Sequence, residues 1–409
     1  MMVKRWVSLV GVGVIVFSVG ILILFRKGQL PHFLQHAPKF WGILFLLLGV
    51  WAVIYGTRKL NRSLLAVLIP EQEDKIVELV YSRRFLKRSK KIAVLGGGTG
   101  LHNLLRGLKA YTSNLSAIVT VADDGGSSGR LRRELHIPPP GDIRNCLVAL
   151  AEAEPAVEKL FQYRFTEGDE LKGHSVGNLL LAAMTIMSEG RFDLAVDELS
   201  KVLAIRGRVI PAALEPATLV ATMSDGTKVR GEARIPELRK RVIEMKLETP
   251  VPANPEAIKA LGEADFIVIG PGSLFTSIVP NLLVDGIANA MNASPATKIY
   301  VCNVMTQPGE TLDLSAEDHL RVLLKYLDKI DYVLLNHWVP KRLKRKYEEE
   351  GALPVKYDVV ELLKMGVRPV VRDLVDIRAQ YAWHDPTLLA QTIVELSGQL
   401  KKSISAGGF

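Results

Sequence analysis

The residues with the most chemical potential gather where short apolar runs end in glycine. Gly96-Gly97-Gly98-Thr99-Gly100 follows Ile92–Leu95 and opens an amphipathic stretch at Leu101. Glycines let a backbone approach an anion closely, and a helix start offers unpaired N–H groups and a favourable dipole. Gly97, Gly98, Thr99 and Gly100 therefore read as a phosphate or pyrophosphate cradle. The loop is not a Walker loop, because no Gly-Lys-Ser/Thr follows. Nor is it a full dinucleotide fingerprint, because Leu101 stands where the third glycine belongs.

Five further segments carry polar groups of the same character. In Ala122–Arg130, Asp123 lies 23 residues after Gly100, where an acid could reach a ribose hydroxyl. Asp123 and Asp124 could instead hold Mg²⁺ on phosphates, or one could cap the following helix. They are also the catalytic candidates if the chain is an enzyme. Ser127, Ser128 and Arg130 suit a second anion contact. A proline turn, Pro138–Pro140, delivers Asp142, Arg144 and Asn145 to a helix start, where Asp142 could serve as a plain N-cap. His174 and Asn178 share one helical face; Asn178 could read a base or sugar, and His174 could equally be an interior histidine. Gly270–Ser277 again joins a strand to a helix and offers Gly272, Ser273 and Thr276 to an anion or sugar. Cys302–Gln307 is the sixth segment.

No serine with a His/Asp partner, Cys-His pair or carboxylate dyad with evident roles can be picked out. The pattern therefore argues for binding more than for turnover. It requires no cofactor, with Mg²⁺ as the one candidate. Cys146 and Cys302 stand far apart, with no metal-ligand spacing, and read as two buried thiols.

To position these loops the chain needs strands that all end on one side. From Lys91 onward, short apolar runs alternate with longer amphipathic ones, which is the signature of βαβ units. Ile92–Leu95, Ile118–Ala122, Phe266–Ile269, Ile299–Val304 and Tyr332–Leu335 read as buried strands. Leu101–Tyr111, Ile143–Ala151, Val176–Met187 and Pro280–Met291 read as helices. The fold class is α/β, a doubly wound, mainly parallel, Rossmann-like sheet. Ala217–Met223 and Lys228–Ile235, joined through Asp225-Gly226, read as a β-hairpin inserted into it. In such sheets the ligand crevice lies beyond the carboxyl ends of the strands, where all of these loops fall.

The first ninety residues are of another kind. Trp6–Phe25 and Phe40–Gly56 are uncharged runs of 20 and 17 residues, read as two transmembrane helices forming a hairpin over residues 1–60. Trp6, Trp41, Trp51 and Tyr55 suit the interfaces. Arg26-Lys27 follow the first run without a small-residue cleavage pattern, which favours a retained span over a signal peptide. Of 52 Lys and Arg and 43 Asp and Glu, 15 and four fall in residues 1–91, a net +11 that leaves −2 for the remainder. The basic charge thus belongs beside a membrane and argues against nucleic acid as a partner. Residues 61–90 read as a basic amphipathic connector, residues 91–400 as the globular domain and residues 401–409 as a tail. The positive-inside bias places the globular domain in the cytoplasm, on a two-helix cell-membrane anchor.

Several of these segments together resemble the YvcK/CofD-like family: Gly96–Leu101, Val119–Leu131, Pro139–Ala151, His174–Ala183, Gly270–Val284 and Cys302–Thr311. The likeness spans about residues 91 to 390 and is nearer to the YvcK branch than to the phospholactate-transferase branch. It implies a gluconeogenesis factor that binds UDP-sugars such as UDP-N-acetylglucosamine and influences cell-wall precursor supply and cell shape. It also implies a homo-oligomer with a further protein partner. The sister branch implies a 2-phospho-L-lactate transferase acting with Mg²⁺ on a nucleotide-activated donor and a deazaflavin. By the same resemblance Thr99 and its glycines contact the diphosphate, Asn178 and the Gly270–Ser277 loop lie nearby, and Tyr347 lies against the nucleotide. The chain departs from the pattern at Trp383, before His384-Asp385, where an Arg is common. The resemblance does not carry that contact over.

Overall fold

A computed structural model describes residues 2–25, 39–68, 86, 89–152, 155–349 and 351–398. The chain divides into two compact units, residues 1–84 and 85–409. The link over residues 26–38, most of the basic connector beyond Leu68 and the 401–409 tail lie outside the described residues.

In the first unit, helices Met2–Phe25 and Lys39–Leu68 pack antiparallel. Glycines seven apart on each helix, Gly13 and Gly20 against Gly42, Gly49 and Gly56, permit the approach. A Cβ on Gly49 would lie 2.6 Å from the Phe17 nitrogen, and one on Gly20 would lie 2.7 Å from the Leu46 nitrogen. Small residues of this kind are how apolar helices come together where lipid removes the hydrophobic drive. Trp6, Trp51 and Tyr55 cluster at one end, with Trp51 and Tyr55 stacked at 5.2 Å. Lys4–Phe25 and Lys39–Leu60 are each long and apolar enough to cross a membrane. The second helix runs on to Leu68, past the uncharged segment that marks it in the sequence.

The second unit is built on a seven-stranded, wholly parallel sheet. Its strands are β1 (Ile92–Gly96), β2 (Leu115–Val119), β3 (Arg208–Pro211), β7 (Phe266–Ile269), β8 (Thr297–Val301), β9 (Tyr332–Asn336) and β10 (Arg368–Arg372). Their order across the sheet is β10-β9-β8-β7-β1-β2-β3. β1 is an interior strand next to the central β7, with Ile92 opposite both Leu115 and Phe266. Successive residues point to opposite faces, so Ile92 and Val94 join one core while Ala93 and Leu95 join the other. Helices cover both faces, which explains why the central strands are continuous apolar runs rather than alternating ones. From β1 the chain builds outward through β2 and β3, then returns to β7 on the other side and builds away again. The reversal between β1 and β7 is the switch point at which such sheets open a crevice.

β4 (Leu219–Met223), β5 (Lys228–Arg230) and β6 (Val242–Leu247) form a separate antiparallel sheet, ordered β5-β4-β6. The Asp-Gly turn closes the β4–β5 hairpin as read from the sequence, with Met223 N–H donating to Thr227 O at 2.9 Å. The second arm is shorter than Lys228–Ile235. Gly231, at φ 100°, turns the chain out of the strand, and Ala233 N–H donates to Asp124 Oδ1 at 2.9 Å. Pairing of β6 with β4 was not anticipated. Two other expectations shift. β2 begins three residues before Ile118 and ends at Val119. The Pro280–Met291 helix is broken: a wide turn over Leu274–Ile278, in which Ile278 N–H donates back to Ser273 O, leads into Val279–Leu282, and Ile287–Ala293 restarts after Gly286 at φ 100°.

Candidate functional site

A cleft of about 340 Å³ opens at the carboxyl ends of β1, β7 and β8. The β1 loop contributes Gly97 to Gly100, and the β7 loop contributes Pro271, Gly272, Ser273 and Ser277. The β8 loop contributes Asn303 to Gln307, and Tyr347 and Ala382 to His384 close the far side. The junctions after β1, β7 and β8 therefore converge on one space, whereas the loop after β2 does not line it. The helix after β1 starts at Gly98, three residues earlier than its apolar pattern indicates, so Gly98, Thr99 and Gly100 form its first turn. Gly97 precedes that turn without a side-chain cap, and the first-turn N–H groups of such a helix are natural donors to an anion.

The glycines are sterically required. A Cβ on Gly97 would lie 2.5 Å from Asp142 Oδ2 and 2.8 Å from Thr120 Cγ2. One on Gly100 would lie 2.7 Å from the Pro271 carbonyl oxygen, because the β1 and β7 loops meet backbone to backbone. Gly98, at φ 67°, adopts the left-handed conformation that side chains resist.

The β7 loop is arranged differently. Its helix start already holds an anion, the carboxylate of Glu310, which is 6% exposed. The Ser273 hydroxyl donates to Glu310 Oε2, the Thr276 hydroxyl to Oε1 at 3.3 Å, and the Phe275 and Thr276 N–H groups also donate to the carboxylate. Burial raises the Glu310 pKa, and these donors oppose the rise. Ser273 reaches the cleft, whereas Thr276 is absent from its walls. Glu310 itself carried no signal in the sequence beyond a carboxylate after a Pro308-Gly309 turn.

Asp124, Ser127, Ser128, Asp142, Arg144 and Asn178 also lie outside the cleft walls. Ser127, Arg144 and Asn178 meet in a buried polar network. Asn178 Nδ2 donates to Ser127 Oγ at 3.0 Å, and Ser127 Oγ lies 2.9 Å from His174 Nδ1. Arg144 donates to Asn178 Oδ1 at 3.1 Å, to Asn145 Oδ1 at 2.7 Å and to Ser175 Oγ. Its partners are neutral, and the network ties the helix after β2 to helices Pro140–Leu150 and Val176–Met187. Asp123 and Asp124 diverge. Asp123 takes the Gly125 N–H at 2.9 Å and the Ser128 hydroxyl, while Asp124 reaches across to Ala233. The two carboxylates bond to different partners, and among the described residues no group of three or more His, Cys, Asp or Glu could hold a metal.

Asp142 links this region to the cleft by accepting the Gly98 N–H. Burial, then the Asp123 charge, push its carboxyl up to about 6, against the pull of Gly98 N–H and Arg144. Glu232, unremarkable in the sequence, is pushed up to about 8 by burial and by the carboxylates of Asp123, Glu310, Asp124 and Asp142. Both thiols are buried and free, and burial raises each of them, Cys302 to about 12. Neither is a ready nucleophile.

The far wall of the cleft is aromatic. Trp383 stacks on Tyr381 with centroids 5.4 Å apart, and Tyr381 meets Tyr347 edge-on at 6.5 Å. Lys346 Nζ lies 3.7 Å from the Tyr381 centroid. Ala382 N–H donates to the Tyr347 hydroxyl at 3.2 Å, which fixes that ring.

The profile of the family described as "2-phospho-L-lactate transferase CofD" matches residues 92–375. The "Gluconeogenesis factor" of Bacillus subtilis (strain 168) is 52% identical over 311 residues, which cover 75% of this chain and 98% of that protein. A relative from Nostoc sp. is 41% identical over 414 residues and covers 97% of this chain and 91% of its own length, so that likeness reaches into the N-terminal segment. An X-ray structure of a Bacillus halodurans protein superposes with a TM-score of 0.73 at 47% identity, covering 75% of this chain and all of that one. The cleft at the β1–β7 switch point is thus carried on a shared fold, and the chain belongs to the YvcK/CofD family.

Proposed function

We propose that this protein is a gluconeogenesis factor that works as a UDP-sugar-responsive regulator tethered to the membrane. One observation carries the reading: the β1, β7 and β8 loops and Tyr347 line a single cleft, with the first turn of a glycine-rich helix start, Gly98–Gly100, at one end and aromatic rings at the other. That arrangement suits a molecule with an anionic middle and a planar end, such as a nucleotide diphosphate sugar. The relatives named gluconeogenesis factors support the physiological setting. The N-terminal helices would hold the cleft at the inner membrane face, where envelope precursors are consumed. Titration calorimetry of the full chain in detergent micelles with UDP-N-acetylglucosamine tests the reading. Saturable heat, competed by UDP, is expected; no heat overturns it. Resistance of the full chain to carbonate extraction from membranes tests the tether.

A second reading, phospholactate-transferase-like chemistry, is supported by the family profile and by Asp142. A carboxyl near 6 against the Gly98 N–H suits proton transfer at neutral pH. Incubation with a nucleotide-activated phospholactate donor and a deazaflavin should then give a phosphorylated product, lost in Asp142→Asn.

A further inference from the structure

Among the described residues, four buried side-chain polar atoms have no hydrogen-bond partner: Arg144 Nε, Asn281 Oδ1, His319 Nε2 and His384 Nε2. Only the last belongs to a residue lining the cleft. His384 is 7% exposed, and its position is fixed from both sides. Its backbone bridges to Val375, and the next residue, Asp385, caps helix Pro386–Leu396 by accepting the Thr387 and Leu388 N–H groups. The ring is fixed as well, because it donates to the carbonyl oxygen of Cys302 just past β8. With Nε2 unpartnered, Nδ1 makes that bond, and the lone pair is left on Nε2. Burial holds the imidazole neutral, with its pKa lowered to about 4. A buried acceptor without a partner is costly in a finished fold and is a reason to look for a missing donor.

We propose that His384 is a binding residue of the cleft, whose Nε2 lone pair accepts a hydrogen bond from the nucleoside half of the ligand, a ribose hydroxyl or a base N–H. The inference rests on the nucleotide reading above. It adds to that reading the polarity of one contact. An ionised diphosphate has only acceptors and cannot satisfy a lone pair, so the diphosphate belongs at the Gly97–Gly100 end. His384 follows Trp383 directly, on the aromatic side of the cleft, where a base and its ribose would lie.

The test uses the full chain in detergent micelles, labelled with ring-¹⁵N histidine and titrated with UDP and with UDP-N-acetylglucosamine. On saturation the His384 Nε2 resonance should move upfield, away from that of an unbonded lone pair. His319 is an internal control. Its Nε2 is equally unpartnered, but it lies in the core with Nδ1 2.7 Å from the Tyr300 hydroxyl, so its signal should stay in place. His384→Phe keeps a ring and removes the acceptor; it should weaken both ligands alike, by roughly three- to tenfold. His384→Gln, whose amide oxygen can accept, should recover part of the loss. Ligand binding with an unmoved His384 resonance, or with His384→Phe binding as wild type does, overturns the proposal. A loss confined to the sugar-bearing ligand overturns the nucleoside assignment. Failure of both ligands to bind the wild type brings down the nucleotide reading and this contact with it. The resonance shift needs no variant, so a misfolded substitution leaves the question answerable.

Discussion

The loops after β1 and β7 are built to one recipe and end in opposite states. Each is a glycine-rich turn between a buried parallel strand and a helical segment, and the two touch backbone to backbone at Gly100 and Pro271. At β7 the negative charge comes from within, since Glu310 takes two hydroxyls and two N–H groups. At β1 Asp142 takes the Gly98 N–H, and the first turn otherwise faces the cleft. A glycine-rich junction therefore announces that an anion will be held, and not whether a ligand or the chain itself supplies it. On the proposed function, one junction is the receptor and the other is its buttress.

The hardest way to break this pairing is at the contact between the loops. Gly100→Ala places a methyl 2.7 Å from a carbonyl oxygen that cannot rotate away. It should cost about 3 kcal/mol of stability and abolish detectable nucleotide binding. Gly262→Ala, a helix position whose new methyl would meet nothing within 4 Å, should be neutral or slightly stabilising. Melting curves of the two variants beside calorimetry make the comparison. Equal melting temperatures would mean that the loops do not bear on one another.

Next comes the internal anion. Glu310→Gln replaces an acceptor-only carboxylate by an amide whose NH₂ must face donors. It should cost about 2 kcal/mol, the worth of hydrogen bonds to a charged group. Nucleotide affinity should fall with it, because Ser273 loses the partner that orients it. If the variant melts like wild type and binds inorganic phosphate more tightly, then Glu310 is a plug rather than a buttress.

The third test reads the β1 side through pH. A bound diphosphate would bring like charge towards Asp142, already raised to about 6, and raise it further. Binding should therefore take up a proton near pH 6 and tighten as pH falls through that value, by up to roughly tenfold. Asp142→Asn should flatten the profile. Calorimetry in buffers of different ionisation enthalpy counts the proton, and a count of zero would separate Asp142 from the ligand. The same raised pKa has a sign in folding. The stability it contributes is fully present below the unfolded value of 3.8 and is lost as pH rises through about 6.

The sequence made the sheet legible, because buried parallel strands are short apolar runs that end in turns bearing Gly, Asp or Asn, and Phe266–Ile269 and Val176–Met187 lie where the pattern puts them. β3, β6 and β10 were missed. They are edge strands or lie outside the main sheet, and their runs carry charge, as in Arg368–Arg372. At the site, Gly97–Gly100 and Tyr347 were legible, from spacing and resemblance respectively. The burial of Ser127, Arg144 and Asn178 was not, because a polar residue at a helix start looks the same whether it meets a ligand or another side chain. Glu310 and His384 were hidden for a related reason. Their meaning comes from neighbours 34 and 82 residues away, Thr276 and Cys302.

The smallest effect is expected at the opposite end of the cleft, on its aromatic wall. Trp383 is 44% exposed and already stacked on Tyr381, so its outer face is free to take a planar ring without further ordering. Trp383→Ala removes that face and should weaken UDP by roughly three- to tenfold, at the low end of base–aromatic stacking because the site is open to solvent. Trp383→Arg should recover affinity by a different route, exchanging a π-face for a charge on a long side chain that can extend from the nucleoside end towards the diphosphate. The two proteins would then part company in salt. Wild-type binding should change little between about 50 and 500 mM NaCl beyond the screening that the glycine loop itself experiences, whereas the arginine variant should lose affinity more steeply. Parallel salt dependences would place residue 383 beyond reach of the phosphates, and an unchanged affinity in Trp383→Ala would remove the aromatic wall from the binding surface altogether.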